Sequence, residues 1–168
     1  MEYPGIRVAM EAVIGPMLIP LKLDISTGDI ITPHEVEYNY QLLIENRSIS
    51  LWSYNLETVL AEKLQTVLAR GILNTRMRDF YDIYELTLKY DEAIDTEIFR
   101  AAFKATCHKR GTEKLTADGI TILQDLSADA GLRSLWQSYQ KKYIYANTIF
   151  YSDVIHSVSV LFKKLSPE

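Results

Sequence analysis

The stretch Tyr54–Tyr90, YNLETVLAEKLQTVLARGILNTRMRDFYDIYELTLKY, decides the fold. Ahead of it, apolar residues recur at about every second position. Inside it they recur every third or fourth. Leu56, Val59, Leu60, Leu64, Val67 and Leu68 follow helical spacing. Asn55 is a candidate N-cap, Glu57 suits the first turn, and Gly71 stands where a helix C-terminus favours glycine. A second helix is predicted over about Met77–Tyr90, with Phe80, Ile83, Tyr84 and Leu88 apolar. A short basic connection joins the two. The same stretch carries Glu62, Lys63, Arg70, Arg76, Arg78, Asp79 and Asp82.

Towards the N-terminus the chain is β-rich. Arg7–Val13 reads as a strand turned by Gly15-Pro16. Met17–Ile25 alternates, with Leu21, Leu23 and Ile25 on one face and Lys22 and Asp24 on the other. Ser26–Asp29 is a turn by composition, and Ile30–His34 reads as a short extended segment. Tyr38–Ile44 and Ser48–Tyr54 form a predicted hairpin about Asn46-Arg47. Towards the C-terminus the helical period persists. A third helix starts at Asp95, carries Ile98, Phe99, Ala102 and Phe103, and is ended by Gly111. A fourth covers Thr116–Asp125, and a fifth Leu132–Tyr145 with Leu135, Trp136 and Tyr139 on one face. A last helix, capped by Ser152, runs to about Leu165 with Val154, Ile155, Val158 and Leu161 apolar, and Pro167 lies beyond its end. The expected class is α+β: a small mixed sheet followed by a bundle of five or six helices. The change of period at Tyr54-Asn55 divides the chain into a β-rich region, residues 1–54, and a helical region, residues 55–168.

The composition narrows the function classes. A formal net charge of −4 argues against a general nucleic-acid coat, although Arg70, Arg76 and Arg78 allow a local basic patch. The one cysteine, Cys107, excludes an internal disulfide framework and makes the cytoplasm the expected compartment. No stretch has the length of apolar sequence that a membrane span needs. Eleven tyrosines against five phenylalanines suggest amphipathic surfaces whose hydroxyls need partners.

Several charged residues have two readings. Asp24, on the polar face of an apolar strand, is either solvated or a carboxylate of the kind that holds magnesium against a triphosphate. Lys63 and Arg70 share a helix face nearly two turns apart, and either snorkel or reach a phosphate. Asp79 and Asp82, three apart, point the same way. Arg76 and Arg78 can pair with them to lock two helices, or a carboxylate here can act as a base or orienter beside the lysine. On spacing alone the structural reading of this group is the better one. His34, His108 and His156 have no metal-ligand spacing, and there is no glycine-rich phosphate loop.

Taken together, LETVLAEKLQTVLARGILNTRMRDFYDIYEL resembles the signature of the AbiEii/AbiGii toxins, nucleotidyltransferase-like toxins of bacterial abortive-infection and toxin–antitoxin systems. The matching residues are Ala61-Glu62-Lys63-Leu64, Arg70, and Arg78-Asp79-Phe80-Tyr81-Asp82. Upstream, Leu21–Ser26 followed by Gly28-Asp29 is similar to a late core strand of that family. Downstream, Trp136-Gln137-Ser138-Tyr139 is similar to its tryptophan–tyrosine helix. The resemblance implies a nucleotidyltransferase fold, a magnesium–nucleoside triphosphate as substrate, and RNA as a plausible acceptor. It implies Lys63, Arg70 and Arg78 as phosphate-binding residues, Asp24 as a metal carboxylate, and Asp79 or Asp82 completing the catalytic set.

The sequence departs from the family pattern in one respect. It contains no Gly-Gly, no Gly-Ser and no Asp-x-Asp, the elements that cradle the triphosphate and supply the two principal metal ligands. A single Asp24 cannot organise two metals. The expectation is a partial nucleotidyltransferase that lacks its N-terminal part: a fragment of a longer protein, a shortened gene, or a chain completed by a second polypeptide. It is expected to be inactive alone and to associate through an exposed sheet edge with a cognate antitoxin or with itself. The other class of reading is a non-catalytic module that binds an antitoxin or RNA.

Overall fold

A computed structural model describes residues 5–166 of the chain. It divides into two compact units, one ending at Ile30 and the other beginning at Ile31.

The first unit is a hairpin of β1 (Gly5–Ile14) and β2 (Met17–Ser26), antiparallel from Gly5↔Ser26 to Ile14↔Met17. Gly15, at φ 57°, takes the first central position of the two-residue turn, which the twist of antiparallel strands asks of a residue without a Cβ. Residues directly opposite share a face. Ile6 and Ile25, Val8 and Leu23, Met10 and Leu21, Ala12 and Ile19, and Ile14 and Met17 therefore make one wholly apolar face. Arg7, Lys22, Glu11 and Asp24 lie on the other.

The second unit opens with a hairpin of β3 (Val36–Gln41) and β4 (Ser48–Ser53), again antiparallel. The α+β class is borne out, but the expected single mixed sheet is corrected to two separate two-stranded ladders. Each strand closes on its neighbour in sequence through a short connection, and no crossover of the length that a parallel pair needs lies between them. Strand β3 stops at Gln41 rather than Ile44, and Leu42 N–H donates to the Arg47 carbonyl at the base of the loop that joins it to β4. Residues 30–34 form no strand. The Thr32 backbone is tied to the start of the first helix instead: its N–H donates to Thr58 Oγ1 at 3.1 Å and its carbonyl accepts from Asn55 Nδ2 at 2.6 Å.

Six helices follow: α1 (Leu56–Arg70), α2 (Met77–Tyr90), α3 (Thr96–Arg110), α4 (Leu115–Ala128), α5 (Ala130–Lys142) and α6 (Tyr151–Lys163). Asn55 caps α1 by accepting from Thr58 N–H, and Asp95 caps α3 by accepting from Glu97 and Ile98 N–H. Gly111 ends α3 in the left-handed conformation that favours glycine. The fifth helix begins earlier than its apolar pattern suggests, because Asp129 caps it through Leu132 N–H at 2.7 Å. It also ends earlier, at Lys142, with a separate helical turn over Ile144–Ala146. Ser152 is not a cap but lies in the first turn of α6, behind Phe150. The start of α6 is fixed by Tyr151, which is buried and donates its hydroxyl to the Leu126 carbonyl at 2.7 Å. Pro167 lies outside the described residues.

Helix α1 is the spine of the bundle. It packs on α2, α3, α4 and α6 and buries Leu60, Ala61, Leu64 and Val67 completely. Phe80 and Ile83 meet that core from α2, Phe99 and Phe103 from α3, and Val154, Val158 and Leu161 from α6. Trp136 closes the far side, its indole N–H donating to the Ile149 carbonyl at 2.9 Å. Cys107 is buried with them, as a small free thiol usually is.

Helix α4 approaches α6 closely at Gly119, where an added Cβ would stand 2.3 Å from the Phe162 ring. A Gly119→Ala variant gains about 1 kcal/mol of helix propensity and loses about 1–3 kcal/mol to overpacking. The expected net effect is a lower urea midpoint, restored by Phe162→Leu in the same chain. A second expectation concerns alkaline pH. Burial pushes the Tyr151 phenol up from 10.0 to about 12, so the folded state favours its neutral form. Its contribution to stability is complete below pH 10 and is lost as the pH rises towards 12. Urea titrations across that range should show the decline reduced in Tyr151→Phe.

Candidate functional site

The site is built where α1 and α2 cross. Lys63 sits at the rim of the apolar stripe of α1, next to buried Leu64, with a side chain only 22% exposed. An ammonium so far out of water needs counter-charge, and α2 supplies it twice. Lys63 Nζ is 2.5 Å from Asp82 Oδ2 and 3.4 Å from Asp79 Oδ1. The spacing of three residues on α2 aims both carboxylates at the same ammonium. Asp79 is the more deeply placed, 6% exposed against 23% for Asp82.

Arginines of α2 and of the turn before it complete the charge balance. Arg76 Nε pairs with the buried Asp79 Oδ2 at 2.9 Å. Arg78 Nε reaches Asp82 Oδ2 at 3.9 Å from an exposed side chain. The connection between the helices is held by Asn74, which is buried and accepts from Arg76 N–H at 2.8 Å.

Beside this cluster, between α1 and the end of α3, lies a cleft of about 280 Å³. Glu62, Lys63, Thr66, Arg76, Asp79 and Arg110 are among the residues that line it. Arg110 is the member that sequence reasoning missed. It stands in the last turn of α3, far along the chain from Lys63, and no local pattern connects the two. Its guanidinium donates to Gln65 Oε1 and, at 3.3 Å, to Thr66 Oγ1, and lies 3.4 Å from Glu62 Oε1.

On the other flank of Asp82 is an aromatic wall. The Trp136 and Tyr139 rings are stacked at 5.4 Å, Tyr81 lies 4.7 Å from Tyr145, and the Tyr139 and Tyr145 hydroxyls share a hydrogen bond at 3.0 Å. Burial, then the Tyr145 hydroxyl and the Asp82 charge, push the Tyr139 phenol above its ordinary range.

Of the residues singled out from sequence, Lys63, Asp79 and Asp82 are brought together, with Arg78 at their edge. Arg70 is exposed at the end of α1, outside the residues that line the cleft. Asp24 belongs to the other unit. It is exposed on β2 and held by Arg7, whose Nε and Nη2 are 2.5 and 3.0 Å from its two oxygens. The Arg7 guanidinium keeps its carboxyl below the usual range.

Most of the chain, rather than this cluster alone, matches a known family. Residues 1–158 match the model of the nucleotidyl transferase AbiEii toxin, type IV toxin–antitoxin system. The chain belongs to the AbiEii toxin family. Nothing matches among curated proteins or among solved structures. Membership of this family gives the chain a nucleotidyltransferase-like role in a toxin–antitoxin system, with an antitoxin as its counterpart. Among the described residues no helix is long and apolar enough to cross a membrane.

The magnesium that the AbiEii family implies does not fit the carboxylates as they are arranged. Asp79 and Asp82 face Lys63 and arginines, both oxygens of Asp24 are taken by Arg7, and no group of three potential ligands is gathered among the described residues.

The Lys63 bridge should be measurable as coupling. Lys63→Met leaves two partly buried carboxylates short of a cation and should cost about 1–3 kcal/mol. Asp82→Asn in the Lys63→Met background should cost less than it does in the wild type. Urea unfolding of the four chains gives the cycle, and additive costs would count against the bridge.

Proposed function

We propose that the crossing of α1 and α2 is the phosphate-handling side of a toxin nucleotidyltransferase site. What carries this reading is the Lys63 ammonium held on two carboxylates at the mouth of a polar cleft, in a chain of the AbiEii family. A lysine held in this way is a point charge that can exchange one carboxylate for a phosphate oxygen while the other keeps its position. Asp82, the more exposed of the pair, is the one to be released. Asp79 stays as the orienting group. Arg78 and Arg70 add positive charge along the approach for a nucleoside triphosphate, brought in with its magnesium, and for an RNA acceptor.

The β-rich residues 1–54 and the helical residues 55–168 take separate roles in this reading, the second holding the phosphates. The sequence has no Gly-Ser and no Asp-x-Asp, so the chain binds a nucleotide and does not transfer it unaided. The setting is the cytoplasm of a bacterium carrying an abortive-infection or toxin–antitoxin system. Contact with the antitoxin, or with a second copy, runs through the β1–β2 hairpin, whose apolar face favours association. That face is also the one observation in favour of a purely non-catalytic binding module.

Equilibrium dialysis with magnesium and each labelled nucleoside triphosphate decides between these readings. Binding is expected, weakened about tenfold or more by Lys63→Ala, and incubation with bulk RNA should give no incorporation of label. A chain that binds none of the four triphosphates is a binding module of another kind. Robust incorporation would overturn the claim that it cannot transfer unaided.

A further inference from the structure

We infer that Arg110, at the end of α3, is a phosphate-binding residue of the cleft that it lines together with Lys63 and Arg76. This rests on the reading of the Lys63 cluster as a phosphate site, and adds a cation that no motif in α1 or α2 supplies.

Three cations from three separate segments converge on one cleft: Lys63 from α1, Arg76 from the turn before α2, and Arg110 from α3. At about 280 Å³ the cleft lies at the small end of ligand pockets, which suits a phosphate chain better than a whole nucleotide. Arg110 is held on α1 through Gln65, Thr66 and Glu62. Its side chain is 19% exposed, so little reorientation is open to it. Once Glu62 gives way, the planar guanidinium has N–H donors to turn to a phosphate. Lys63 meets it as a point charge. Glu62, 3.4 Å from Arg110, is the group an incoming anion has to displace or share. The arrangement parallels the pairing of Lys63 with Asp82. In each case a cation waits on a carboxylate that the anion can replace.

The alternative is that Arg110 only fastens α3 to α1. Binding of inorganic tripolyphosphate to the full chain, measured by calorimetry at fixed ionic strength, separates the two. Arg110→Ala should weaken binding about tenfold or more, and Arg110→Lys, which keeps the charge and loses the fork, should fall between. Glu62→Gln should tighten binding in the wild-type chain and do so less in the Arg110→Lys chain, a coupling that a fastening role does not produce. Circular dichroism establishes that each variant is folded. If Arg110→Ala fails to fold, the coupling of Glu62→Gln with Arg110→Lys carries the test, and equal tightening in both backgrounds overturns the proposal. A folded Arg110→Ala that binds as the wild type does, while Lys63→Ala loses binding, overturns Arg110 and leaves the Lys63 reading standing. A wild-type chain that does not bind tripolyphosphate overturns both.

Discussion

The ammonium of Lys63 has less than a quarter of its side chain in water, and that constrains everything around it. A charge so placed is tolerable only with counter-charge close by, so α1 and α2 must cross where residue 63 meets residues 79 and 82. The connection has to be as short and as well fixed as the turn over Gly71–Leu73 and buried Asn74 make it. Burial of Leu60, Leu64, Phe80 and Ile83 supplies most of the free energy of that crossing. The bridge itself adds little net stability, because desolvation offsets much of its Coulomb gain. Its effect is on alternatives. A slide of either helix by one turn would keep apolar contact and strand an ammonium or a carboxylate.

What was legible in the sequence was whatever a local rule could encode. Asn55, Asp95 and Gly111 each satisfy orphan backbone groups within a few residues, and they stand where the helices begin and end. The pairing of Lys63 with Asp79 and Asp82 was legible only as a set of candidates. Spacing puts two carboxylates on one face, and tertiary packing decides what they face. Ser152 misled because a good capping residue lies beside a position that Tyr151 fixes by its own burial and its hydrogen bond to Leu126. Arg110 was illegible for the opposite reason. Its partners Glu62, Gln65 and Thr66 lie more than forty residues away along the chain, and a basic residue in the last turn of a helix already has an ordinary explanation in the helix dipole.

The two hairpins show where alternation stops being informative. Period two identifies strands and assigns their faces, and both hairpins obey it: Ile6, Val8, Met10 and Ala12 along β1, Tyr38 and Tyr40 along β3. It does not say which strands share a sheet. Two-residue and six-residue connections each favour a neighbour in sequence, and two ladders of two strands result. Ladders of that size are marginal in water without a surface to cover one face. The apolar face of β1–β2, with Ile6, Met10, Leu21 and Leu23 all well exposed, is therefore the least self-sufficient part of the described chain.

The charge balance of the cluster bears on the chemistry open to an AbiEii-family chain of this composition. Lys63, Arg76, Arg78 and Arg110 face Glu62, Asp79 and Asp82, so the carboxylates are outnumbered. Carboxylates that hold a divalent cation need the reverse balance, an excess of negative oxygen around the ion. The crossing of α1 and α2 is thus suited to an anion, with its acids holding cations in place rather than collecting metal. A nucleotidyltransferase needs both kinds of surface, one for the phosphates and one for the ions that polarise them. The second kind calls for carboxylates unencumbered by arginine. Neither Asp24 with Arg7 nor Asp79 with Arg76 has that character, and the absence of an Asp-x-Asp pair from the sequence agrees with their pairing.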